Sequence, residues 1–499
     1  MMDEILKELI EKEKDIVLYG TGTYAAGVCV ELINAGWRPI CFVETNKSRD
    51  WLFDIPVYTV PYVMRRYPDA NIVMSLDEKY HEEVKHYLAA CGVTSECIID
   101  MTNSQLKQLA DKASSLSTRL INLYSQYLPT KKRLPEKDGK IIVFRLDGIG
   151  DVVLNTPMLR ELRRNHPFSL IVLVVSKHAF FLMKNCPYID EIYSFDQGIF
   201  GTYPMAYKLQ KAQQYMEGIV KGRNFDIAIV PRFDADYYGA SLLALFSNAE
   251  FRIGYSESVR PNKKRINKNY DKLFSCTLKI GDVKHEVQRN LDVLRSIGDV
   301  VCNDLPELWV SDIEIKKAKE LFHSWGISGN KLLVAVGIGA SVQVKRWSSA
   351  NFAELIQKLH IKNNKLVFLL IGGSDAREAA QEIKQSLVEY WCIDLVNKLS
   401  LPELTAVLRF AAVYVGNDTG PMHMAAACGC KCLEISRFPL DGDCACQASD
   451  KRFSPYKVSC KIVNTEHGDT SEQEEYTDTI ERVSVASVLK EFDALYNGD

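Results

Sequence analysis

Three times along this chain a short apolar run breaks at a glycine turn and resumes as a helical pattern. DIVLYG runs into TGTYAAG at 15–27, KIIVFRL into DGIGDVV at 140–153, and KLLVAVG into IGA at 331–340. Continuous apolar runs of this length suit strands buried on both faces, and a helix after each strand returns the chain across the sheet. The recurrence predicts α/β domains with parallel sheets. The chain has 499 residues, enough for roughly three units of ~150 residues each.

The segments between these turns set the domain limits. Residues 1–100 carry the strands DIVLYG, PICFVE, NIVMS and ECIID, and read as a small Rossmann-like accessory domain. Residues 101–138 hold SQLKQLADKASSLSTRLINLYSQYL, helical in spacing, then KKRLPEKDG; this is a helical connector. Residues 139–315 and 316–499 are two similar-sized α/β domains. The chain closes on a helix from about Val485, with Val485, Val488, Leu489, Phe492 and Leu495 on one face. Two facing α/β domains leave a cleft at the carboxyl ends of their strands, where ligands of open sheets bind.

Composition narrows the function classes. Hydrophobic residues make up 47% and charged residues 25%, a globular balance. The formal charge of -3 supplies no global field for nucleic acid. The start, MMDEILKELIEKEKD, has no apolar signal core, and no run approaches the ~20 apolar residues of a membrane span. A cytoplasmic protein is expected, at most peripheral to a membrane. The 14 cysteines fall largely in apolar runs and read as reduced.

Three motifs carry the chemistry. In KIIVFRLDGIGDVVLNTP, Asp151 stands where a strand gives way to a helix. It suits either an N-cap or a base that takes a proton from an acceptor hydroxyl. In VAVGIGASVQVKRWSSANFAEL, the turn around Gly339 and Ser341 exposes backbone N–H groups. Lys345 and Arg346 add positive charge, which suits a diphosphate. The bland reading is a solvated Lys-Arg pair beside a surface Trp347. In VYVGNDTGPMHMAAACG, a strand ends near Val415. A helix opens after Asp418-Thr419-Gly420 with Pro421 in its first turn, an anion site by geometry. The alternative is a plain capped helix with His423 on the surface.

These motifs resemble glycosyltransferase family 9, whose best-known members are the lipopolysaccharide heptosyltransferases. The likeness lies in IIVFRLDGIGDVVLNTPMLREL with NCPYIDEIYSFD, in the KRW element, in GNDTGPMHMAAA, and in RIGY and HEVQRNLDVL. It covers roughly residues 140–497. The resemblance implies a GT-B fold, with residues 139–315 as the acceptor domain and 316–499 as the nucleotide-sugar donor domain. It also implies inversion at the anomeric carbon with no metal. Asp151 becomes the catalytic base. Lys345, Arg346, Ser341, Gly339, Asp418, Thr419, Gly420 and His423 become donor-binding residues. The implied donor is ADP-heptose, and the acceptor a saccharide or glycolipid of surface-glycan synthesis, with no further cofactor. His285 is read as packing. One stretch departs from the family. ISRFPLDGDCACQASD (435–450) replaces the usual FGPTDP-type turn beside the donor nucleotide.

Other features leave alternatives open. Cys428, Cys430, Cys432, Cys444, Cys446 and Cys460 crowd together, and free thiols are favoured over a metal site. Gly20-Thr21-Gly22 with Glu44 outlines a dinucleotide fingerprint, although a second half of that sheet is not evident. The fingerprint allows an NAD-dependent sugar oxidoreductase or epimerase as a rival function. A non-catalytic nucleotide-sugar-binding protein is another. SVRPNKKRINKNYDK (258–272) reads as a solvated basic loop, with an anionic acceptor or membrane surface as its alternative.

Overall fold

The computed structural model describes residues 4–11, 15–46, 51–52, 55–128, 130–131, 134, 139–198, 200, 204–279, 284–327, 331–340, 345–387, 391–437, 450–464 and 480–498. Each glycine-broken strand becomes the first strand of a separate sheet. The first sheet holds β1 (Ile16–Tyr19), β2 (Cys41–Glu44), β3 (Trp51–Leu52), β4 (Ile55–Thr59), β5 (Asn71–Met74) and β6 (Ile98–Asp100). The second holds β7 (Lys140–Arg145), β8 (Leu170–Ser176), β9 (Glu191–Phe195), β10 (Ile227–Val230), β11 (Phe251–Tyr255) and β12 (Cys276–Leu278). The third holds β13 (Leu332–Gly337), β14 (Leu366–Ile371), β15 (Cys392–Asp394), β16 (Ala411–Asn417), β17 (Lys431–Ser436) and β18 (Cys460–Asn464).

The second and third sheets run β12-β11-β10-β7-β8-β9 and β15-β14-β13-β16-β17-β18. Counted within each domain, this is the doubly wound order 3-2-1-4-5-6, and the recorded pairings are parallel. The chain reverses direction of travel between β7 and β10, and between β13 and β16. A crevice opens above the carboxyl ends at those two points.

The first sheet runs β3-β4-β2-β1-β5-β6. Its parallel strands follow the same order without a sixth, and only the short β3 is antiparallel. This corrects the expectation of a missing half: β5 and β6 lie on the far side of β1.

Core packing follows the apolar runs. Val334, Val336, Phe368 and Leu370 form one layer with Phe352 and the C-terminal helix. That helix spans Val485–Asn497, is capped by Ser484, and buries Val485, Val488, Phe492 and Leu495. The expected connector is a single helix, Asn103–Tyr127, begun by a Thr102–Gln105 capping box. It serves two cores. Near its start, Leu106 and Leu109 pack into the first domain. Further on, Ile121 is 1% exposed among Ile142, Phe144 and Val174 of the second.

Truncating Ile121 to Ala should therefore cost about 2–4 kcal/mol, as for a buried Ile. Thermal unfolding of the full chain is expected to fall by at least ~4 °C for the domain affected. A change below about 1 °C would mean that the helix is only a tether.

Candidate active site at the domain cleft

The second sheet ends in charge. Arg145, the last residue of β7, is 1% exposed despite its full charge. Its Nη1 donates to the Pro231 carbonyl at 3.1 Å and to Asn290 at 3.4 Å, tying the ends of β7 and β10 together. Its Nη2 lies 3.1 Å from Asp151 Oδ1 and 3.4 Å from Glu286 Oε1. Its Nε lies 3.1 Å from Asp147, which Arg232 also holds. A buried guanidinium is tolerated only when carboxylates compensate it, and here three do.

Asp151 is the partner left nearest to solvent, with its side chain about a quarter exposed. Burial first, and then the charge of Asp147, push its carboxyl up to about 6, against the pull of Arg145 and Arg232. A carboxylate so placed can exchange a proton near neutral pH. Glu286 goes the other way. Burial works to raise it, but Arg452 and then Arg145 outweigh that and hold it at about 2.

Asp151 is not an N-cap. The helix starts earlier, at Ile149, with Gly148 as its N-cap, and Asp151 sits in its first turn. The stretch that follows the turn forms two helices, Ile149–Val153 and Thr156–Asn165. Pro157 supplies no N–H for the Val153 carbonyl one turn before it. The carbonyls at the break find other donors. Thr156 Oγ1 donates to Val153 O at 2.8 Å, and Asn290 Nδ2 to Leu154 O at 3.0 Å. Asn290 thus braces the short helix and Arg145 together.

The third sheet supplies the opposite wall. β16 runs on to Asn417, whose buried amide donates to Ile338 O and accepts from Trp347 N. These bonds fix the KRW element against the end of β16. Trp347 is 2% exposed and packs on Phe352, so it is a core residue and not a surface one. Lys345 Nζ meets Asp418 Oδ2 at 2.7 Å. Arg346 donates to Ala340 O and reaches Asp375, 3.4 Å away, beside Gly339. Ser341 lies outside the described residues. The helix Gly420–Ala427 starts after Thr419, and no side chain caps its first turn.

The two walls touch. A Cβ on Gly150 would stand 2.5 Å from the His423 ring, and one on Gly420 3.0 Å from Ile149 Cβ. Glycine at both positions lets the Ile149 and Gly420 helix starts lie side by side. Asp151 directly follows Gly150 and Asp418 stands two residues before Gly420, so both carboxylates lie at this junction of the walls. His423, expected at the surface in the bland reading, is buried between the walls, and its Nδ1 has no hydrogen-bond partner among the described residues. Burial, against the pull of Asp418, holds its imidazole down to about 4, so it is neutral at pH 7.

The remaining residues singled out in the sequence have these places. His285 is the N-cap of the helix Glu286–Ser296 and bonds Ser454 O, a packing role as expected. Within the basic stretch, Pro261–Ile266 is helical and Lys263 turns inward to the Arg232 carbonyl, so a solvated loop is too simple. Cys428, Cys430 and Cys432 direct their thiols at backbone carbonyls. Among the described residues no group of His, Cys, Asp and Glu is arranged to hold a metal, and Cys444 and Cys446 lie outside them. In the first domain Gly20 takes a positive φ of 102°, Gly22 precedes the helix Thr23–Asn34, and Glu44 accepts from Thr21. Sequence reasoning missed Arg145, Asp147, Arg232, Glu286 and Arg452. The one available signal was an arginine closing an otherwise apolar strand.

No helix among the described residues is long and apolar enough to cross a membrane. Residues 219–480 match glycosyltransferase family 9 (heptosyltransferase). That span contains Arg232, Glu286, Lys345, Asp418 and Arg452, while Asp151 precedes it. Lipopolysaccharide heptosyltransferase 3 of Escherichia coli (strain K12) is 23% identical over 284 residues, covering 56% of this chain and 76% of that protein. The crystal structure of the glycosyl transferase family 9 protein from Veillonella parvula matches with a TM-score of 0.59 at 21% identity, over 74% of this chain and 100% of its own. The E. coli ADP-heptose lps heptosyltransferase II matches at 0.54 and 20% identity, over 72% and 99%. These likenesses establish the GT-B pair formed by the second and third sheets. With more than half of its length matched, this chain belongs to glycosyltransferase family 9 and is a glycosyltransferase.

Proposed function

We propose that the chain transfers heptose from ADP-heptose to a hydroxyl of a saccharide or glycolipid acceptor in surface-glycan synthesis, with inversion and without a metal. The observation that carries this reading is the placement of Asp151. Its carboxyl is tuned to about 6 and lies at the same junction of the walls as Asp418, the partner of Lys345, and the start of the Gly420 helix. The ADP-heptose named for the E. coli relative supplies the donor in this reading.

Arg145 occupies Asp151 Oδ1, which leaves Oδ2 to accept the acceptor hydroxyl's proton. The oxygen attacks the anomeric carbon from the face opposite the diphosphate, the C–O bond to ADP breaks, and its electron pair leaves with ADP. Lys345 and the N–H groups at Thr419 and Gly420 meet the charge that develops there. A carboxylate beside a diphosphate repels it. Asp418 therefore serves by holding Lys345 and by accepting from donor hydroxyls. Arg346, with Gly339, shapes the phosphate turn, and His423, being neutral, offers a hydrogen bond without charge. For the first domain we infer an accessory role in which Gly20, Gly22 and Glu44 receive a nucleotide.

Turnover with a panel of nucleotide sugars, read by diphosphate release and mass spectrometry, tests this. ADP-heptose should be consumed equally with and without EDTA. Asp151→Asn should lose about 10²–10⁴-fold in kcat, as for a missing general base, while still binding donor. Inactivity of the wild type with every donor and acceptor tried, or full activity of Asp151→Asn, would sink the reading.

The pH profile gives a second check. Only unprotonated Asp151 can act as base, so kcat/KM should be level above its pKa. Below about pH 6 it should fall close to tenfold per pH unit. A profile flat down to pH 4 would exclude Asp151. Lys345→Ala should lower kcat by roughly 10²–10³-fold.

A further inference from the structure

The third domain reaches back across the cleft. Between the neighbouring strands β17 and β18, residues 450–457 leave their own sheet and lie on the helix Glu286–Ser296 of the second domain. Four contacts hold them there. His285 Nε2 meets Ser454 O at 2.9 Å, Gln288 donates to the Tyr456 hydroxyl at 2.6 Å, and Tyr456 and Lys457 both reach Asp304 at 2.8 Å. The ISRFPLDGDCACQASD stretch, where the sequence departs from the family pattern, leads into this excursion.

Arg452 stands at its centre, with a side chain 0% exposed. Its Nη2 lies 2.7 Å from Glu286 Oε2 and 3.0 Å from Asp234 Oδ2, and its guanidinium stands over the rings of Phe233 and Phe453. The other oxygen of Glu286 faces Arg145 Nη2 at 3.4 Å. That same nitrogen is the one that reaches Asp151, at 3.1 Å. Two carboxylates thus share the two N–H bonds of one nitrogen, with Glu286 at the longer distance, and Arg452 balances the charge of Glu286 from behind.

We propose that Arg452 is a positioning residue for Asp151: lent by the donor domain, it holds Glu286 so that Arg145 stays on the base. The inference rests on the reading of Asp151 as base. Glu286 without Arg452 is a buried charge short of one partner. It draws Arg145 toward itself and adds negative potential beside Asp151. Both effects favour the protonated, inactive form of Asp151. The charged and titratable groups facing Asp151 are Arg145 and Asp147 at the end of β7, Arg232 after β10, Glu286 from its helix, Tyr238, and His423 from across the cleft. Arg452 acts on this set directly through Glu286 and more remotely through Asp234, which lies near Arg232. Because the arginine arrives on the donor domain, the base is fully poised only when that domain covers it.

The test is the pH profile of kcat/KM for ADP release from ADP-heptose, measured on the full chain. Wild type is compared with Arg452→Gln, Arg452→Lys and the double variant Arg452→Gln/Glu286→Gln. In Arg452→Gln the acid limb should move up by ~0.5–1 pH unit, so that kcat/KM at pH 6 falls ~3–10-fold beyond any loss at pH 8. Arg452→Lys keeps the charge and should stay nearer to wild type. The double variant removes both charges, so its limb should return to the wild-type position or lie below it. A merely structural arginine would lower activity at every pH and leave the limb in place. If Arg452→Gln does not fold, the double variant, which removes the Glu286 charge and leaves Asp234 with Arg260, decides: a raised limb there overturns the proposal. An unmoved limb in folded Arg452→Gln overturns it too. A wild type without Asp151-dependent turnover overturns the reading of Asp151 itself and the inference with it.

Discussion

The guanidinium of Arg145 closes β7 with almost no contact to water, and it has to be matched on every side. Its five partners come from four places: the Pro231 carbonyl just past β10, Asp147 in the turn after β7, Asp151 in the Ile149 helix, and Glu286 and Asn290 in the helix 286–296. Leaving any of these unpaired would strand a charge or a dipole in the interior, at a cost of several kcal/mol for an ion. The positions of the turn, the two helices and the strand ends are therefore mutually dependent. Asn290 extends the dependence, since its Nδ2 also donates to the Leu154 carbonyl at the break between the two helices.

From this point the charge chain continues outward through Glu286 to Arg452 and Asp234, and so into a segment that belongs to the other domain. Apolar contact joins the domains at the Gly150–His423 and Gly420–Ile149 crossings. The two kinds of contact differ in what they tolerate. Close glycine packing fixes a distance and fails if a methyl group is added. An ion network fixes protonation states and fails if one member is neutralised. The cleft uses the first to set its width and the second to set the chemistry of one wall.

Much of this was legible in the residues. The three glycine-broken strands announced three parallel sheets, and the C-terminal helix began at Val485 as its apolar spacing required. Lys345 and Asp418 were both read as donor-side residues, but their pairing across 73 positions was not visible, because a strand order cannot be read from local spacing. β4 was missed for a plain reason: IPVYT is short and contains Pro56, which argues against a strand inside a sheet, yet it lies beside the edge strand β3. The buried arginines were missed because an arginine is ordinarily a surface residue. Only the folded arrangement shows which ones the carboxylates pull inside. The return of residues 450–457 to the second domain followed no periodicity at all.

The second and third sheets have the same strand order and place their glycine turns at the same topological point, yet the two turns do opposite work. At the end of β7 the turn is followed by Asp147 and Asp151 around a buried arginine. Burial, with the charge of Asp147 second, raises one carboxyl to about 6. At the end of β13 the turn is followed by a lysine and an arginine, and the matching turn after β16 opens an uncapped helix. A base needs a carboxylate that its surroundings make reluctant to ionise, while a departing diphosphate needs positive charge that is already in place. One scaffold meets both demands because its topology fixes only where a side chain stands. Which residue closes the strand then decides whether that end of the sheet accepts a proton or meets an anion.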